Sequence, residues 1–264
     1  MTELARSTAV IARRGLAHRR RQPEALTDAT IQPIMFVVLV AYVFGGAIDV
    51  QGGSYREFLM GGIFAQTLTF GLFGIAMALA YDRSNGAVDR FRSLPIHRAA
   101  FLSGHAVAGL LRSLLPIVLM SLAGLVIGWR IHSNVGQALA GYALMVGYSF
   151  AMVWVGVLLA AAMKTPEGVQ GVAFIFVFPV TFVASTFVPV DTLPSVLKTI
   201  AEWNPVTAVA GGLRELFDNP GTKVAADAPW PVQHPIPYAV IWIVLIIGIC
   251  VPLASRMYQR SISS

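Results

Sequence analysis

Residues 82–104 read DRSNGAVDRFRSLPIHRAAFLSG, a charged, proline-broken segment set between two long apolar runs. Phe58–Ala80, before it, carries no charged residue over 23 positions, more than the ~20 residues that cross a bilayer. Ser113–Trp129, after it, is again uncharged. The segment must therefore sit in water at one face of a membrane, and the runs on either side are read as spans. Ser84 or Asn85 can cap a short helix, because either side chain can accept from an unpaired N–H of the first turn. Pro95 disfavours helical geometry at Leu94 and so closes that helix. Within it Val88, Phe91 and Leu94 recur every three residues and share a face, while Asp89, Arg90 and Arg92 point elsewhere. An apolar knob with a charged rim suits the groove of a partner. A solvated loop whose arginines only set topology has the same composition.

The 264 residues are 56% hydrophobic and 12% charged, against ~25% charged in soluble domains. That composition means a membrane protein, in which the net charge of +6 encodes orientation rather than nucleic-acid binding. Cys250 is the only cysteine, so neither an intramolecular disulfide nor a cysteine-based metal cage can form. The arginines of Met1–Arg21 precede no apolar stretch with a cleavage site, so insertion is expected to rest on the first span.

The predicted fold is an all-α membrane protein with six transmembrane helices in one domain, 1–264. The spans are 31–48, 58–80, 105–129, 138–163, 169–190 and 236–254. Residues 1–28 hold six arginines and a thin stripe of Leu4, Thr8, Ile11 and Gly15. That pattern fits a basic helix lying on the anionic inner leaflet, and equally a basic tail that stays inside. Six spans place both termini on one side. Fourteen of the 19 Lys and Arg fall in 1–28, the 81–104 loop, Arg112, Lys164 and the C-terminal tail. The other five are Arg56, Arg130, Lys198, Arg214 and Lys223 on the opposite side. Positive charge stays inside, so both termini are expected in the cytoplasm.

Between the last two spans, 191–235 is expected outside the cell. Asp191 or Thr192 can cap a helix that Pro194 opens, with Val196, Leu197, Ile200 and Trp203 on one side. Asn204-Pro205 restarts the pattern, which continues through Val206, Val209, Leu213, Leu216 and Phe217. Two such short amphipathic helices form an outer hairpin expected to lie in, or dip into, the outer interface. In the fifth span Phe174, Phe178 and Phe182 repeat every four residues around Pro179. This stripe can line a path for an amphipathic substrate, or simply face lipid or a neighbouring span. Arg112 lies inside the third span, either as a functional charge or as a side chain snorkelling to the headgroups. Gly124 and Gly128 form a small-xxx-small pair that can bring two helices close.

Catalytic signals are largely missing. No G-x-x-x-x-G-K-[ST] loop is present to cradle a nucleotide, and no G-x-S-x-G elbow. His18, His97, His105, His132 and His234 are scattered without metal-ligand spacing. The deep parts of the spans lack Asp and Glu, which an ion-coupled carrier usually needs. The chain is expected not to be an enzyme, to hold no catalytic or metal site, and to draw its energy from another polypeptide.

A resemblance then becomes specific. Arg20-Arg21-Gln22-Pro23, Gln32-Pro33-Ile34-Met35-Phe36 and Tyr42-Val43-Phe44-Gly45-Gly46 resemble the opening of ABC type-2 permeases of the daunorubicin/doxorubicin-resistance branch. Tyr55–Gly62 at the entry to the second span is similar too, with Met60 where many members have proline. So are Asp89–Ile96, Phe187-Val188-Pro189, Leu193-Pro194, Asn204-Pro205 and Arg214. The resemblance covers nearly the whole chain. It implies a half-transporter that exports amphipathic drugs or lipids from a bacterial plasma membrane. Two copies, identical or sibling, would sit on two cytoplasmic ABC ATPase subunits, which bind the ATP and Mg; no cofactor is implied for this chain. It further implies that 81–104 holds the coupling helix, with Val88, Phe91 and Leu94 in the ATPase groove and Asp89, Arg90 and Arg92 at its rim. Residues 1–28 would lie against the same ATPase. A polysaccharide or glycolipid exporter of the same fold, or a membrane scaffold that transports nothing, would share many of these features.

Overall fold

The computed structural model describes residues 34–35, 37–43, 54–84, 98–163, 165–219 and 228–263. Its regular structure is helical, and no strand occurs among the described residues. The helices are α1 (Tyr55–Ser84), α2 (Arg98–Ile127), α3 (Val135–Ala162), α4 (Pro166–Val183), α5 (Ser195–Glu202), α6 (Pro205–Leu216), α7 (Trp230–Gln233) and α8 (Pro235–Ser263). Among the described residues, α1, α2, α3, α4 and α8 are long and apolar enough to cross a membrane. Half of the first expected span, the 1–28 segment and the whole of 85–97 lie outside the described residues. A helical stretch over 37–43 does buttress the core through Val37, Val40 and Ala41.

Local chemistry starts and stops these helices. Asn134 accepts from the Gln137 N–H at 2.9 Å ahead of α3. The Thr165 hydroxyl accepts from the Gly168 N–H at 3.2 Å ahead of α4, with Pro166 in the first turn; each cap satisfies a donor the helix cannot. α2 stops at Gly128, whose φ of +101° is left-handed backbone that favours glycine. There the Trp129 N–H reaches the Gly124 carbonyl at 2.8 Å and the Gly128 N–H reaches Leu125 at 3.4 Å. Gly128 is thus the residue that ends a helix, not half of a helix-contact pair. Only Gly124 makes a close approach, to the Met60 side chain of α1 and the Trp129 ring.

The core is α1 crossed on α3, with α6 wedged beside both. Phe58, Leu59, Ile63 and Phe64 of α1, Met145 and Tyr148 of α3, and Val206, Val209 and Leu213 of α6 are fully or almost fully buried in one cluster. Lipid tails are as apolar as leucine, so such helices associate through close packing and hydrogen bonds rather than through escape from water. Gly156 on α3 shows the packing: a Cβ there would stand 2.7 Å from the Leu72 carbonyl of α1. The buried Thr69 and Tyr148 hydroxyls supply a hydrogen bond across the same crossing at 2.8 Å. On the periphery, α2 and α8 present exposed rows, Leu111, Leu115, Val118 and Leu122 on one and Ile241, Val244 and Leu245 on the other. Within the single chain these rows are left uncovered.

The bundle has two unlike ends. One gathers the start of α1, the α2–α3 turn, the end of α4, both short helices α5 and α6, and the start of α8. The positive-inside bias leads to the expectation that this end lies outside, and it is called the outer end. The other gathers Arg83, His105 and the α3–α4 turn: the Asp82 carboxylate lies 3.1 Å from His105 Nε2, and Arg83 donates to the Ala161 and Met163 carbonyls at 3.4 Å.

Two expectations change. The fifth span was read to Val190, but α4 ends at Val183. Beyond it the backbone is held by other elements: the Ser185 N–H donates to the Thr207 hydroxyl of α6 at 3.0 Å, and the Ser185 carbonyl accepts from Arg214. The second half of the outer hairpin was read as an interface helix, yet α6 is a core helix whose Leu213 is 0% exposed. Only α5 keeps the surface character: Val196, Leu197, Ile200 and Trp203 are exposed, whereas Ala201 and Glu202 face inward.

Candidate functional site

The candidate site is the seam between α1 and α4, closed at its outer end by α6. α1 and α4 run antiparallel, and their aromatic side chains meet in register. Phe73 lies 5.2 Å from Phe174, and Phe70 meets Phe178 edge-on at 6.1 Å. Along α4, Phe174 stacks on Phe178 at 5.7 Å, Phe178 on Phe182 at 4.5 Å, and Phe182 reaches Phe187 at 6.1 Å. The four-residue spacing makes this ladder, since residues i and i+4 lie one above another on a helix. It is not core: Phe174, Phe178 and Phe182 are 44%, 41% and 52% exposed. Rings that keep half their surface open can stack on a flat apolar molecule as well as on each other.

Arg214 closes the outer end. It sits on the last turn of α6, 8% exposed, and reaches elements far away in sequence. Nε donates to the Phe58 carbonyl at 2.8 Å, Nη1 to the Ser185 hydroxyl at 2.7 Å and Nη2 to the Ser185 carbonyl at 2.6 Å. The guanidinium carbon lies 3.6 Å from the centre of the Phe58 ring, a cation–π contact strengthened by the dry surroundings. Burial lowers the pKa of the group to about 9, which leaves it charged at neutral pH. The two glycines that open α1 make room: a Cβ on Gly61 would stand 2.8 Å from Arg214 Cγ, and one on Gly62 would run into the Thr186 backbone.

Further polar bonds anchor α6. The Asn204 side chain caps it, accepting from the Val206 N–H at 2.8 Å while its amide donates to Val180 of α4 at 2.7 Å. Past its other end, Asn219 accepts from the Trp129 indole at 2.6 Å and donates to the Arg130 carbonyl at 2.8 Å. This short helix therefore ties α1, α4 and the α2–α3 turn into one collar. His132 and Glu57 add an exposed pair at 2.7 Å on the rim.

The sequence-predicted residues fall out as follows. Phe174, Phe178 and Phe182 form the ladder. Trp203 is 53% exposed, its carbonyl accepts from the Tyr238 hydroxyl at 2.8 Å, and its ring lies 6.1 Å from that tyrosine's. Leu213 and Arg214, expected beside the outer leaflet, are instead buried in the collar. Val88, Asp89, Arg90, Phe91, Arg92 and Leu94 lie outside the described residues. Of the two expected caps for their helix, Ser84 donates its hydroxyl back to the Tyr81 carbonyl at 3.0 Å, at the end of α1, and Asn85 is not described. Arg112 is half-buried on α2. Sequence reasoning missed Gln66, the one amide in the uncharged Phe58–Ala80 run; its isolation there was the available signal.

Comparison with known proteins adds the following. Residues 6–217 match the family model described as ABC-2 type transporter. A daunorubicin resistance ABC transporter permease protein of Streptomyces coeruleorubidus is 28% identical over 218 residues, covering 81% of this chain and 77% of the relative. A probable doxorubicin resistance ABC transporter permease protein of Mycobacterium tuberculosis is 28% identical over 240 residues, covering 88% and 81%. A linearmycin resistance permease protein of Bacillus subtilis is 25% identical over 153 residues, 58% of this chain and 39% of the relative.

Proposed function

The chain belongs to the ABC-2 type transporter family, and on that premise we propose that it is the permease half of an ATP-driven exporter of amphipathic drugs or lipids. The observation that carries the reading is the α1–α4 ladder, a run of half-exposed rings along about 12 Å of α4 at ~1.5 Å per residue. The relatives named for resistance to daunorubicin and doxorubicin support a drug-like cargo. Energy would come from two cytoplasmic ATPase subunits that bind ATP and Mg, acting on a pair of permeases, identical or sibling.

α1 is the mechanical element in this reading. Thirty residues long, it spans about 45 Å at ~1.5 Å per residue. One end leads into the 81–104 segment, where Val88, Phe91 and Leu94 would dock in the ATPase with Asp89, Arg90 and Arg92 around them. The other end is clamped by Arg214. A displacement of the docking segment would therefore be carried along one rigid helix to the outer collar, shifting the α1 side of the ladder against α4. The test is co-purification of the tagged permease with its ATPase, followed by ATP-dependent efflux from proteoliposomes. Recovery of the permease without any ATPase, under conditions that keep membrane complexes intact, would refute the reading.

A further inference from the structure

We propose that Gln66 is the polar recognition group of the α1–α4 seam, placed to accept a hydrogen bond from an N–H or O–H carried on the edge of a flat aromatic cargo. This rests on the export reading of the same seam and adds the substrate chemistry to it. Helical register puts Gln66 one turn before Phe70 and two turns before Phe73, on the face of α1 whose rings meet Phe178 and Phe174. Since α4 runs the other way, that position is level with the outer rungs of the ladder.

Gln66 is 7% exposed, and its Oε1 is shielded from solvent with no hydrogen-bond partner among the described residues. A buried amide oxygen without a donor is uncommon and costly. At membrane depth no bulk water can relieve it. Neighbouring hydroxyls are committed elsewhere. Thr69 is bonded to Ala65 and Tyr148, Thr181 to the Val177 and Phe178 carbonyls, and Thr186 to the Thr181 carbonyl. An acceptor thus stands on the aromatic face with no donor to it among the described residues. A molecule stacked on the outer rings with a donor on its rim would do so. Alkyl lipids, with neither a ring to stack nor a donor at that depth, would be poorly matched.

The test uses two dyes with one ring system. Proflavine carries exocyclic amino N–H groups; acridine orange is the same ring with those nitrogens methylated. Binding of each to the full-length permease in nanodiscs is followed by dye fluorescence. Wild type is expected to favour proflavine, and Gln66→Leu to lower the proflavine-to-acridine-orange affinity ratio by about fivefold to tenfold, the size of one hydrogen bond. Gln66→Met, unbranched, is expected to repeat the result if leucine disturbs the packing. Phe178→Ala should weaken both dyes alike and keep the ratio. An unchanged ratio in both Gln66 variants, or failure of wild type to bind either dye, overturns the proposal. Efflux of the same dyes separates the two readings: the expected binding ratio without ATP-driven efflux would refute export and leave the Gln66 assignment standing.

Discussion

Replacing Arg214 by leucine tests whether the collar is held by one side chain. The change removes the donors of three bonds and leaves the Phe58 carbonyl, the Ser185 carbonyl and the Ser185 hydroxyl without their partner. Bonds from a charged donor are worth ~1.5–3 kcal/mol each, and they share one side chain, so they do not add fully. Against the loss stands the relief of no longer burying a charge, several kcal/mol in the other direction. The expected net cost is about 3 kcal/mol, near a hundredfold in an equilibrium constant at ~1.4 kcal/mol per decade. Arg214→Lys keeps the charge but lacks the planar fork and the stacking on Phe58, and should fall about midway. The assay is fluorescence-detected size exclusion of the tagged protein after heating in detergent. Unfolding of membrane bundles is not strictly two-state, so the rank order of midpoints is the reading, wild type above Arg214→Lys above Arg214→Leu. Wild-type stability in Arg214→Leu would refute the clamp; Arg214→Lys below Arg214→Leu would mean that burying a charge, not losing the bonds, dominates.

Three other perturbations separate the remaining roles. Phe91→Ala should lower ATPase recovered with the permease or uncouple hydrolysis from efflux, because a ring truncated at a hot spot costs ~2 kcal/mol or more, while Arg92→Ala on a hydrated rim should cost at most ~1 kcal/mol; normal values for Phe91→Ala would sink the docking face. Single cysteines at Ser84 and Ser261 in a Cys250→Ala background should be shielded from an impermeant thiol reagent in intact cells and one at Thr222 labelled, and labelling at 84 would contradict the topology. Leu213→Ala, in a fully buried position, should destabilise by ~2–5 kcal/mol, whereas Trp203→Ala, more than half exposed, should leave stability within about 1 kcal/mol and lower efflux; a heat midpoint for Trp203→Ala as low as that of Leu213→Ala would argue against this division.

The class, five of the long apolar helices and the family are legible in the sequence. Hydropathy and the arginine bias are sums over many residues, so neither depends on how helices are arranged. The Phe ladder was also legible, because a four-residue repeat makes neighbours within one helix. The helix stop at Gly128, expected instead to pair with Gly124, rests on two bonds that are local in sequence. The packing of the helices, not the hydrophobic spacing, sets which apolar faces are buried within the chain and which stay exposed. Both environments are apolar, so Leu213 in the core and Val196 on the surface look alike in a pattern of hydrophobic spacing. Arg214 is legible as one outer charge and as part of the family pattern, but its partners Phe58, 156 positions away, and Ser185, 29 away, are set by the fold. Gln66 was likewise one polar residue in a span; that its oxygen has no partner depends on where Thr69, Tyr148 and Thr181 direct their own hydroxyls, and only the assembled packing of α1, α3 and α4 sets those directions.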